Sequence, residues 1–263
     1  MLQVCLNGAR GPGDSAAVPM SPESLAESAA RAVAAGAGEV RVHPRTPCGG
    51  TSLSPRVLGP VLSSVRAAVG RGVRVTTAAA AEPDTGRRVE RIRSWAVLPD
   101  LVSVDWHEPG AEDAATALLE RGIRVEAGLW ARTDGQERFA RSPLAPRVRR
   151  VLVKVPYPLP GSGVEAASRS FLSGLELPPA VPVLLHGEDG SAWPVLRVAR
   201  RLGLVARIGL EDTMLLPDGT PARSNAELVV AALAGRRVRS RRSGHEPGPS
   251  DRTPPGRDFP GSA

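Results

Sequence analysis

LVSVDWHEPGAEDAATALLERGIRVEAG, residues 101–128, holds a complete strand–helix–strand unit in one stretch. Residues 101–106 form a short Val-rich run of strand type, and Ala111–Glu120 is built from good helix formers. Gly122 supplies the left-handed stop, and Ile and Val return at residues 123–128. Outward from this unit the same rhythm repeats along the chain. Strands are expected at 2–6, 39–43, 73–77, 101–106, 123–128, 148–153, 181–186 and 205–210, each followed by a helix candidate. Eight such units in 263 residues predict an α/β fold, a single (β/α)₈ TIM barrel over residues 1–235.

The helix boundaries are partly legible. Ser21 is placed to cap the first helix, Pro22 suits its first turn, and Gly36 marks its end. Ser54 and Pro55 open the second, while residues 191–201 and 225–234 read as the helices after the seventh and eighth strands, with a stop at Gly203. The pattern is weakest between 154 and 180, where VPYPLPGSG (155–163) is turn-rich and the helix near 164–175 is short.

Composition narrows the function class. Of 34 basic residues only Lys154 is lysine, and residues 236–263 carry seven arginines against Glu246, Asp251 and Asp258. That segment, rich in Pro, Gly and Ser, reads as a disordered basic tail. It holds +4 of the formal +7, so the body is close to neutral. Arg236–Arg242 comes with no aromatic platform, and no specific nucleic-acid partner is expected. Cys5 and Cys48 make neither a disulfide framework nor a close metal pair, which fits a cytoplasmic protein. No signal peptide and no apolar run long enough for a membrane span are visible.

In a barrel of this type the strand C-termini meet at the mouth where active sites form. The residues falling there are Asn7 and Arg10 after the first strand, His43 and Arg45 after the second, and Thr76 and Thr77 on the third. The fourth supplies Asp105, His107 and Glu108, the fifth Glu126 and the sixth Lys154. The seventh brings His186 and Glu188, the eighth Arg207, Glu211 and Asp212. Any one of these read alone is a solvated loop residue. Three of the chain's four histidines and several carboxylates at one end argue jointly for a catalytic mouth. His43 and Glu211 are a candidate pair of zinc ligands. Arg207 can hold a substrate carboxylate and Asp212 accept a proton, or the two simply pair with each other. Glu126 is either a buried acid behind the site or the partner of an arginine. Lys154 can form a Schiff base with a carbonyl substrate, or merely begin the loop that follows it.

Together NGAR (7–10), VHPR (42–45), WHEPG (106–110), VEAGLW (125–130), LLHGED (184–189) and RIGLED (207–212) resemble the β-keto acid cleavage enzymes, the group typified by 3-keto-5-aminohexanoate cleavage enzyme. The resemblance implies a homo-oligomeric, zinc-dependent acyltransferase of amino acid catabolism. A small β-keto acid and acetyl-CoA would exchange to give acetoacetate and a new acyl-CoA. It implies zinc ligation by two strand-two histidines in an HxH pattern and a strand-eight glutamate. His43 matches the second histidine and Glu211 the glutamate. Arg207, Asp212, Thr76 and Glu126 fall on catalytic positions, with Asn7, Arg10, Arg45, His107 and His186 as substrate-binding candidates. The departure is Arg41, which stands where the first histidine is expected. A guanidinium has no lone pair for a metal and stays cationic. Three alternatives follow: a third ligand from His186 or His107, a metal-depleted barrel binding a small anion, or carbonyl chemistry through Lys154.

Overall fold

The computed structural model describes residues 1–70, 72, 74–80, 82–155, 163–178 and 181–237. The first four units are β1 (Leu2–Cys5), α1 (Pro22–Ala34), β2 (Glu39–Arg41), α2 (Pro55–Val69), β3 (Arg74–Ala78), α3 (Thr85–Arg93), β4 (Leu101–Asp105) and α4 (Ala111–Glu120). The second four are β5 (Arg124–Trp130), α5 (Gly135–Arg141), β6 (Arg150–Val155), α6 (Gly163–Ser173), β7 (Val183–Gly187), α7 (Ala192–Arg201), β8 (Val205–Ile208) and α8 (Asn225–Arg237). Each strand pairs in parallel with the next, and β8 closes on β1 with Gln3 opposite Arg207. The expected (β/α)₈ barrel is the fold observed.

Alternation along the strands sorts the side chains. Val4, Val40, Val75, Val102, Val125, Val151, Leu185 and Ile208 are buried in the core that the helices cover. The alternate set includes Gln3, Glu39, Arg41, Thr76, Ser103, Glu126, Arg150, His186 and Arg207, all buried as well. Barrels of this class usually fill their interior with branched aliphatic residues, whereas this interior mixes Leu101, Leu152 and Leu184 with a larger set of polar and charged side chains.

Local signals operate as the sequence predicts at several ends. Ser21 Oγ accepts from Ser24 N and Ser24 Oγ accepts from Ser21 N, a closed capping box on α1. Gly122 and Gly203 both adopt positive φ after α4 and α7. Ser54 precedes α2 but makes no side-chain cap bond, so Pro55 alone marks that start. The strands β5, β6 and β7 each extend past the expected end, because Trp130 pairs with Lys154 and Lys154 with His186 in the ladder. A polar or aromatic residue ends an apolar run in sequence without ending the hydrogen bonding. Most of the 155–163 loop and of the basic tail lies outside the described residues. Among the described residues no helix is long and apolar enough to cross a membrane.

Candidate active site

The C-terminal strand ends open onto a cavity of about 570 Å³, a size normal for small-molecule sites. Of the expected residues, Arg10, His43, Asp105, Lys154, His186, Glu188, Arg207 and Glu211 line it, together with Arg41. Asn7, Arg45, Thr76, His107, Glu126 and Asp212 are not in its wall among the described residues, and most of them act on those that are.

Asn7, fully buried, behaves as a spare peptide unit. Its Nδ2 donates to His43 O (2.8 Å) and its Oδ1 accepts from His43 N (3.0 Å), which joins the chain after β1 to the chain after β2. Gly8 follows at φ +57°, and a Cβ there would stand 2.1 Å from Glu211 Cγ. Glycine in this first loop therefore makes room for Glu211. Arg45 donates to the carbonyls of Gly8, Arg10 (2.9 Å) and Gly49 (2.9 Å), so its guanidinium ties loops together. Arg10 is ion-paired with Asp189 at the rim.

Arg207 lies between two carboxylates. Its Nε donates to Asp212 Oδ1 (3.0 Å), and its Nη2 to Asp212 Oδ1 (2.7 Å) and to Glu211 Oε1 (2.6 Å). Burial works against all three charges. Attraction to Asp212 and Glu211 nevertheless raises Arg207 well above the usual guanidinium range. Burial is the largest influence on the two carboxyls and raises them, but Arg207 together with the neighbouring imidazoles, and Arg41 at Glu211, holds both below the usual carboxylate range. Asp212 is fully buried, with His186 Nδ1 3.4 Å from Oδ1, while Glu211 reaches the cavity with Oε2 free of any hydrogen bond.

The opposite wall is built around Trp130. Lys154 Nζ sits 3.7 Å from the centre of its ring and 2.5 Å from Glu188 Oε1. The indole Nε1 donates to Asp105 Oδ1 (3.1 Å), and His107 packs on the ring with centroids 4.8 Å apart. A Cβ at Gly128 would lie 2.0 Å from Asp105 Oδ1, so the glycine of VEAGLW leaves space for that carboxylate. Thr76 is buried, and its Oγ1 has no hydrogen-bond partner.

Beneath the cavity a charged network runs down the barrel axis. Arg41 Nη1 faces Glu126 Oε1 (3.4 Å) and its Nη2 donates to Ser103 Oγ (2.6 Å). Arg150 donates to Glu126 Oε2 (2.5 Å) and Glu39 Oε1 (2.6 Å), and Glu39 also accepts from Gln3 and from Arg74 Nε (2.8 Å). Glu126 is thus the partner of two arginines. Ser103, Arg150 and Glu39 were missed in the sequence, although EVRVH (39–43) carries polar residues at every second position. A parallel strand buried on both faces normally reads as a continuous apolar run, so that alternation was the available signal.

Burial drives the His43 pKa down to about 4, with Arg41, Arg207 and Arg45 adding to the shift and Glu211 opposing it. His186 is lowered too, first by burial and then by Arg207, against Asp212 and Glu188. An unfolded histidine titrates near 6.5. Below that pH the unfolded chain binds protons that the folded chain refuses until about pH 4. The His43 contribution, on the order of 3 kcal/mol, is complete above about pH 6.5 and is lost progressively toward pH 4. Urea midpoints are expected to fall from pH 7 to pH 5, with His43→Gln flattening the fall. Parallel pH profiles for the two proteins would contradict this account.

The family model described as beta-keto acid cleavage enzyme matches residues 1–133 and 162–242. The chain belongs to this family. No curated protein matches it. Among solved structures, apo ObcA superposes with TM-score 0.64 at 15% identity, covering 85% of this chain and 62% of that one. The ternary complex of ObcA with C4-CoA adduct and oxalate gives TM-score 0.60 at 16% identity, covering 84% and 64%. The chain thus spans less than two thirds of the ObcA chain. The 3-dehydroquinate dehydratase from Aquifex aeolicus VF5 gives 0.53 at 13%, covering 89% and 98%. At these identities the structural likeness is one of fold.

In this member of the beta-keto acid cleavage enzyme family the donors at the position where the resemblance implies zinc do not fit such an ion. His43 Nδ1 and Glu211 Oε2 lie 3.3 Å apart, both buried and without hydrogen-bond partners, and supply two donors. The next group is Arg41, whose Nε is 3.9 Å from the same oxygen. Its charge repels a cation where zinc requires another lone pair. His186 turns to Asp212 and His107 packs at a tilt against Trp130. Among the described residues no group of three His, Cys, Asp or Glu side chains is arranged to hold a metal ion.

Proposed function

We propose that the barrel mouth binds a small β-keto acid and exchanges its acyl group with acetyl-CoA, releasing acetoacetate and a new acyl-CoA. The observation that carries this reading is the convergence of Arg41, Arg207 and Glu211 on one cavity in a chain of this family. A keto acid presents a carboxylate and a carbonyl oxygen that turns into an enolate. Buried guanidinium groups suit both. Support also comes from the ObcA structures, which hold oxaloacetate, itself a β-keto acid, and a C4-CoA adduct.

The proposed sequence starts when a carboxylate takes the proton from the carbon between the keto and carboxylate groups. That carbon attacks the acetyl-CoA carbonyl and thiolate leaves. The thiolate then adds to the original keto carbon, whose bond to the attacking carbon breaks. The proton returns to the acetoacetate enolate, so every atom is accounted for. In this reading Glu211 and Asp212, bridged by Arg207, handle the proton, with Glu211 the one that lines the cavity and its Oε2 the oxygen without a hydrogen bond. Arg41 and Arg207 steady the negative charge, Glu126 holds Arg41 in place, and Asn7 fixes the backbone at His43. The contacts of Lys154 with Glu188 and Trp130 are those of a cation, which supports anion binding over imine formation.

A panel of β-keto acids incubated with acetyl-CoA and the protein tests the reading. At least one should yield acetoacetate and new acyl-CoA in equal amounts. Folded protein that exchanges none of them would instead be an anion-binding barrel without this activity.

A further inference from the structure

We propose that the guanidinium of Arg41 is the resident cation of the barrel mouth, so that this site holds its keto acid anion without a divalent metal. The inference rests on the acyl-exchange reading for its substrate class, but its physical basis is independent of turnover.

Position comes first. Arg41 and His43 stand two residues apart at the end of β2, hence on the same side of the strand, and both line the cavity. Arg41 is about 95% buried by its 5% exposure, and its two terminal nitrogens are anchored on Glu126 and Ser103. That leaves Nε, which is buried and has no acceptor. A planar fork fixed at both tips, with one nitrogen still lacking an acceptor, is prepared for an incoming oxygen.

Charge balance points the same way. Arg41, Arg74, Arg150 and Arg207 are linked through Glu39, Glu126, Glu211 and Asp212, four guanidinium groups against four carboxylates. A divalent ion beside Glu211 would add two charges to a network already neutral and would lie against Arg41. Removing the Arg41 charge leaves the network one positive charge short, which is the condition that attracts a metal.

The experiment pairs zinc uptake with binding of acetoacetate, measured by equilibrium dialysis with elemental analysis and by calorimetry. Wild type should retain well under one zinc per chain after exposure to excess zinc, and its acetoacetate affinity should change less than about 2-fold on adding a chelator. R41H should take up about one zinc per chain. Its acetoacetate affinity should be at least about 10-fold weaker in chelator and recover with zinc. R41K keeps the charge without the fork and should bind acetoacetate in chelator within about 10-fold of wild type, a comparison that stands if R41H folds poorly. One zinc per chain on wild type, or loss of its acetoacetate binding in chelator, would overturn the proposal. Acetoacetate binding without metal but no exchange with any keto acid would sink the activity and leave the Arg41 inference standing. A zinc-loaded wild type that performs the exchange would do the reverse.

Discussion

Arg150→Met is expected to lower the unfolding free energy by roughly 3–5 kcal/mol, read from urea or guanidinium midpoints. Arg150 is the link between Glu39 and Glu126, two carboxylates with no solvent exposure at all. Their attraction overrides burial and raises the Arg150 pKa. Methionine replaces the length of the side chain, so the loss reports mainly the charges left behind. Glu39 keeps Arg74 and Gln3, and Glu126 keeps only the longer contact to Arg41. Adding Glu39→Gln removes one of the stranded charges. The double variant should therefore be more stable than the sum of the two single losses by about 1 kcal/mol or more. A wild-type midpoint for Arg150→Met would mean that the axial network carries no net stability.

The same network explains what the sequence disclosed and what it withheld. The barrel was legible because one face of every strand is aliphatic. Val4, Val40, Val75, Val102 and Val151 sit under helices whose starts and stops follow ordinary capping chemistry. The alternate face was legible only near the mouth, where its polar residues coincide with strand ends. Arg150, Glu39 and Ser103 lie deeper, in the middle or at the N-terminal end of strands. No motif names them, and which strand faces which across the barrel depends on closure and register. Glu126 shows the limit: its type was visible in VEAGLW, but the choice between free acid and arginine partner required Arg41 and Arg150 to be placed around it. Asp105 and Lys154 were visible as strand-end polar residues, yet their shared neighbour Trp130 emerges only when β5 continues past the end of its apolar run.

Glu211→Gln should reduce kcat for acyl exchange by about 10²–10⁴-fold with KM altered far less, provided that proton transfer runs through the carboxylate facing the cavity. Glu211 Oε2 has no hydrogen-bond partner and stands between Arg41 and His43. Its lowered pKa keeps it ionised at neutral pH at a cost in basicity. A cation beside the developing enolate offsets that cost, because charge appearing on the substrate is stabilised as the proton leaves. Asp212→Asn addresses the other half of the pair. Both its oxygens are engaged by Arg207 and it is fully buried, so the amide leaves Arg207 with one carboxylate in place of two. The expected signature is a stability loss of about 3–5 kcal/mol accompanying any loss of rate. The two variants together assign the proton. A stable, inactive Asp212→Asn beside a Glu211→Gln that retains activity would move proton transfer to the buried aspartate, and Glu211 would then serve to position Arg207.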